Sequence, residues 1–78
     1  MKLNKKCYIG VLNNYRSIAA NSITQVKRLA SRFANDNFNI IDKLDITVVD
    51  GEHNTNILHF TRINKVCPNN TIERGQWI

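Results

Sequence analysis

The sequence predicts an α+β fold: one amphipathic helix on one face of an antiparallel sheet of about five strands, in the order ββαβββ. Three observations predict it. Residues 21–35 carry apolar side chains at helical spacing behind a capping signal. The segments on either side read as short strands separated by turn residues. One helical stripe cannot bury itself, so it must lie against a sheet. A chain of 78 residues makes one domain, 1–78.

Lys6–Leu12 reads as the first strand, because Tyr8, Ile9, Val11 and Leu12 are β-formers and Asn13-Asn14 signals a turn. Residues 15–20 form the second strand of a hairpin, with Ile18 and Ala20 facing in. The helix follows over residues 21–35. Ser22 is its N-cap and Gln25 stands three residues later, the capping-box spacing. Ile23, Val26, Leu29, Ala30 and Phe33 draw one stripe, and Asn35-Asp36-Asn37 is expected to end the helix, since Asn can take the left-handed C-cap role. Residues 40–50 alternate as a long strand with Leu44, Ile46 and Val48 on one side. Asp50-Gly51 signals a turn, and residues 52–56 extend the loop. Residues 57–63 form the next strand. Its Leu58 and Phe60 belong to the core, since burying Phe gains most; His59 then faces away from the helix. Residues 64–70 read as a loop around Pro68. Residues 71–78 read as a last short strand anchored by Trp77.

The composition narrows the function classes. The formal charge is +5, and it is uneven: residues 1–39 hold seven basic side chains and one acid, residues 40–78 four basic and five acidic. A basic half suggests an anionic partner, nucleic acid or an acidic protein surface; a purely solubilising role fits the same count. No apolar run approaches the roughly 20 residues of a membrane span. The apolar run after the basic N-terminus is shorter than a signal-peptide core of about 7–15 residues. The expectation is a soluble, intracellular protein with no membrane contact.

Chemistry-bearing patterns are scarce. The three glycines, Gly10, Gly51 and Gly75, are isolated, so no phosphate loop can be drawn. Cys7 and Cys67 lack CxxC spacing and read as free thiols. With His53 and His59 they make no recognised zinc pattern, so neither metal nor cofactor is expected. Nothing places a nucleophile beside a base, and no small-molecule substrate is implied. Asp42, Asp45 and Asp50 read as a solvated strand edge. His53 is expected in an exposed loop. Tyr8 and Tyr15 flank a turn without an RNA-binding aromatic pattern, and no second helix follows the first, which excludes a helix-turn-helix.

The basic side of the helix is the best candidate for function. Lys27, Arg28 and Arg32 are expected in one exposed sector, with Arg16 of the preceding strand beside it. Gln25 and Ser31 share the polar side. The candidate partner-binding set is therefore Arg16, Gln25, Lys27, Arg28, Ser31 and Arg32. Arginine suits bidentate contacts to phosphate or carboxylate; a solvated helix surface has the same composition.

The run Ala20-Asn21-Ser22-Ile23-Thr24-Gln25-Val26-Lys27-Arg28-Leu29-Ala30-Ser31 resembles a segment of small phage-associated proteins, among them a family of type I-F anti-CRISPR proteins of similar length. The order of elements and the terminal Gly75-Gln76-Trp77-Ile78 strand agree in layout. Val26 stands where that family often has Ala, and the loops at 50–56 and 64–71 are longer. The resemblance implies a non-catalytic inhibitor, working in the cytoplasm of a host bacterial cell. It would bind the backbone subunits of a CRISPR–Cas surveillance complex and block target-DNA hybridisation, with Lys27, Arg28 and Arg32 meeting the complex or nearby DNA. The alternative is a small basic DNA-binding accessory protein of a phage or mobile element.

Overall fold

The computed structural model describes residues 6–50 and 54–78. Residues 1–5, and Gly51, Glu52 and His53 of the expected turn and loop, lie outside them. The elements are β1 (Lys6–Leu12), β2 (Arg16–Ala20), α1 (Ile23–Ala34), β3 (Ile41–Asp50), β4 (Asn54–Ile63), β5 (Lys65–Val66) and β6 (Ile72–Glu73). Four strands pair antiparallel in the order β2-β1-β3-β4, and β5 and β6 form a separate two-stranded ribbon. The helix lies on one face of the larger sheet. This is the α+β architecture expected from the sequence.

The β1–β2 turn follows from its residues. Asn13 and Asn14 have φ of 52° and 65°, and Tyr15 N–H donates to the Leu12 carbonyl at 3.1 Å. Positive φ at both central positions matches the twist of a hairpin, and Asn tolerates it. Tyr15 is thus spent in the turn, and β2 starts one residue later than expected.

The helix start is as its capping residues dictate. Ser22 Oγ accepts from Gln25 N–H at 3.1 Å, and Gln25 Oε1 accepts in return from Asn21 N–H at 3.1 Å. Two otherwise orphaned amides are satisfied. Replacing Ser22 with alanine should cost about 1 kcal/mol and lower Tm by about 4–8 °C; a thermal melt followed by circular dichroism measures it. The helix stops at Ala34, where the Asn35-Asp36-Asn37 run is expected to end it, but without a left-handed cap. Asn35 is right-handed, at φ −71° and ψ −11°. Its side chain is held by Arg62 Nη2 at 3.0 Å, so a tertiary contact sets its conformation.

Leu12, Ile18, Val26, Ala30, Ala34, Leu44 and Ile46 form the buried core, with Leu29, Phe33, Leu58, Phe60 and Trp77 packed around it. Gly10 makes room for the helix: a Cβ there would stand 2.5 Å from Val26 Cγ1. β4 begins at Asn54, earlier than the sequence indicates, because Thr55 and Asn56 pair with Val49 and Val48. Ladder pairing outweighs the poor β-propensity of Asn.

The C-terminal segment departs most from its reading. Only Ile72 and Glu73 form a strand, and they pair with Val66 and Lys65 inside the expected loop. The remaining tail crosses to the sheet, where Ile78 and Thr61 exchange backbone hydrogen bonds at 2.9 and 3.0 Å. Trp77 Nε1 donates to Ser31 Oγ at 2.9 Å, tying the tail to the helix.

Candidate binding surface

The polar side of α1 is divided between two flanks. At about 100° per residue, Arg28 and Arg32 stand about 40° apart, while Lys27 lies about 100° from Arg28 in the opposite sense. The contacts agree with this geometry. Lys27 Nζ sits over the Phe60 ring at 4.0 Å from its centroid, on the β4 side. Ser31, which accepts from Trp77, is on that same side. Arg16 stacks over Phe33 at 3.7 Å, on the β2 side. The six residues singled out from the sequence are therefore not one patch. Gln25 is engaged in capping, Ser31 in holding the tail, and Lys27 in covering an aromatic ring. The single exposed sector expected for Lys27, Arg28 and Arg32 is corrected to Arg28 and Arg32, both exposed. Arg16, also exposed, stands on the flank toward which Arg32 turns. Among the described residues, none of these three arginines has a carboxylate within 4 Å.

The expected acidic strand edge is also corrected. Asp42 is fully buried and Arg62 nearly so, and they stand opposite each other on β3 and β4. Arg62 Nε donates to Asp42 Oδ2 at 2.8 Å. Asn64 Nδ2 donates to the same oxygen at 2.7 Å, and Asn13 Nδ2 to Oδ1 at 3.1 Å. Burial by itself would raise the Asp42 pKa; the hydrogen bonds from Arg62, Asn13 and Asn64 and the guanidinium charge outweigh it and hold the carboxyl below its ordinary value. Trp77 closes the cluster, its ring centroid 4.9 Å from the Arg62 guanidinium. The carboxylate is saturated by protein donors, which makes this a structural polar core. Asp45 and Asp50 are surface partners of His59 (2.7 Å) and Lys6 (3.9 Å).

The burial of each residue, though not their pairing, was signalled in the strand alternation. Placing Phe60 inside puts Arg62 inside, and placing Leu44 inside puts Asp42 inside. Beside the cluster an open groove of about 400 Å³ is lined by Asn13, Asn14, Tyr15, Asn39, Ile41 and Lys43. It offers no thiol, imidazole or carboxylate for covalent or acid–base chemistry. Cys7 and Cys67 are free thiols, and among the described residues no three His, Cys, Asp or Glu side chains cluster. No described helix is long and apolar enough to cross a membrane.

No family model, curated protein or solved structure matches this chain. The surface therefore speaks through its own chemistry: three guanidinium groups on one side of a capped helix, held by a sheet.

Proposed function

We propose that the chain is a non-catalytic binding protein whose Arg16–Arg28–Arg32 flank docks on an anionic macromolecular surface. The observation that carries this reading is the exposure of these arginines without a carboxylate partner among the described residues. The resemblance over residues 20–31 makes a type I-F CRISPR–Cas surveillance complex the first partner to test, with occlusion of target-DNA hybridisation as the mode of inhibition. The joint change Arg28→Glu and Arg32→Glu should weaken capture of a purified surveillance complex by about tenfold or more, about 1.4 kcal/mol. The fold should survive, since both side chains are exposed and reversing the charge of Arg32, in the last helical turn, costs only about 0.3–1 kcal/mol. Equal capture by the variant at matched salt rejects the flank as the docking surface.

The second reading, direct binding of duplex DNA, draws on the same arginines and the +5 charge. A gel-shift titration without any Cas protein separates the two. Submicromolar binding that falls steeply with salt favours DNA; its absence, with capture of the complex, favours the inhibitor.

A further inference from the structure

β4 is an edge of the four-stranded sheet, and the tail covers only one end of its outer rim. Thr61 and Ile78 exchange N–H···O bonds, so Thr61 turns its backbone groups away from β3. Antiparallel pairing alternates and the β3–β4 register runs unbroken, so His59, Ile57 and Thr55 turn theirs outward too. Among the described residues no backbone group meets these three from beyond the sheet. The usual protections of an open edge are missing between Thr55 and Phe60, which hold no lysine, no proline and no bulge.

The helix leaves room beside this rim. α1 packs over β1, β2 and β3 rather than β4. Leu58 and Phe60 turn to the helix side and stay only half-buried. Lys27 Nζ stands over the Phe60 ring at 4.0 Å, with no carboxylate within 4 Å among the described residues. The tail shows how such a space is filled. It runs antiparallel to β4, with Gly75 against Ile63 and Ile78 against Thr61, and it sends Trp77 between Ser31 of the helix and Arg62 of β4. The equivalent positions further along the rim, beside Phe60 and Leu58, have no such occupant among the described residues.

We propose that the β4 rim from Thr55 to Phe60 takes an extended peptide segment of a partner protein as an added antiparallel strand, with an acidic side chain beside Phe60 and an apolar one beside Leu58. Main-chain bonds to His59 and Ile57 supply affinity, and the alternate side chains supply specificity. The acid meets Lys27, whereas a basic residue there would be repelled. The apolar side chain takes the exposed part of Leu58 out of water, as Trp77 does for its neighbours in the tail. This rim lies across the helix from the Arg16–Arg28–Arg32 flank and stands independently of the proposed function.

The probe is a capped peptide of about seven residues, long enough to span the rim, with threonine on one face and leucine and glutamate on the other. Titration to about 1 mM, followed by NMR, should shift the Ile57 and His59 amide signals and slow their hydrogen exchange by about tenfold or more. The Leu58 and Phe60 amides, already bonded to β3, should change little. Exchanging the glutamate for lysine should weaken binding by about fivefold at low salt. Ile57→Pro removes an outward N–H and leaves the β3 ladder whole; it should abolish binding with the circular dichroism spectrum unchanged. Where that variant fails to fold, a peptide N-methylated at the amide facing the Ile57 carbonyl carries the same test on the wild-type chain. No shift at about 1 mM, or equal binding of the N-methylated peptide, overturns the proposal, and indifference to the glutamate overturns its acidic chemistry. So does protection of the Ile57 and His59 amides without peptide in a particle of twice 9.0 kDa, since a second copy would then fill the rim.

Discussion

Replacing Asp42 with alanine is expected to destabilise the protein by about 3–5 kcal/mol, because it leaves the nearly buried Arg62 guanidinium without its counter-ion. At roughly 0.05–0.15 kcal/mol per residue, a chain of 78 residues has about 4–12 kcal/mol in total. The variant should therefore be marginal or unfolded at neutral pH. The loss spreads widely. Asp42 gathers Asn13 from the β1–β2 turn, Arg62 from β4 and Asn64 from beyond it, while Arg62 reaches on to Asn35 at the helix end. Urea unfolding followed by Trp77 fluorescence measures the effect. An Asp42→Ala chain within about 1 kcal/mol of wild type would contradict a network of this importance.

The same pair predicts acid sensitivity. The folded-state pKa of Asp42 lies below its ordinary value of 3.8. Its contribution to stability is therefore complete above that value and is lost as pH falls through the lowered folded value. The stability gap between wild type and Asp42→Ala should be constant from neutral pH down to about pH 5 and narrow below about pH 4.

Gly75→Ala is the second large effect. A Cβ at Gly75 would fall on the Ile63 carbonyl oxygen and within 3.0 Å of the Ile63 nitrogen. Both are backbone atoms at the end of a paired strand, which cannot move aside. The tail must lift, costing about 1–3 kcal/mol. With it go the bond from Gly75 N–H to Asn64 Oδ1 at 3.1 Å and the Trp77–Ser31 bond, and Trp77 leaves its place over Arg62. Because Trp77 is the one tryptophan, its emission should shift to longer wavelength in the folded variant. Gln76→Ala, at an exposed position, should leave the emission unchanged. Unaltered emission in Gly75→Ala would show that the tail accommodates the methyl group without undocking.

The two variants mark where local pattern stops being informative. Ser22 and Gln25 announce the helix start because a cap is made within four residues, and Asn13-Asn14 announces its turn for the same reason. Strand alternation correctly placed Ile18, Leu44, Ile46, Leu58 and Phe60 on the helix side. What adjacency in sequence does not contain is which residues meet across the sheet. Asp42 and Arg62 are twenty positions apart, and their partnership exists only through the β3–β4 register. Lys27 and Arg28 are neighbours in the chain, yet the helix turns them about 100° apart, and only the sheet beneath decides that Lys27 meets the Phe60 ring. Ser31 looks like a free polar residue until the tail brings Trp77 to it.

Residue periodicity and capping chemistry thus established the fold class, the helix, the inward face of each long strand and the excess of positive charge. Those properties depend on interactions spanning a few residues. The buried ion pair, the docked tail and the reduced arginine flank arose only in three dimensions. Each depends on distant segments meeting, and the free energy of a buried charge or an exposed isoleucine is set by what stands opposite it.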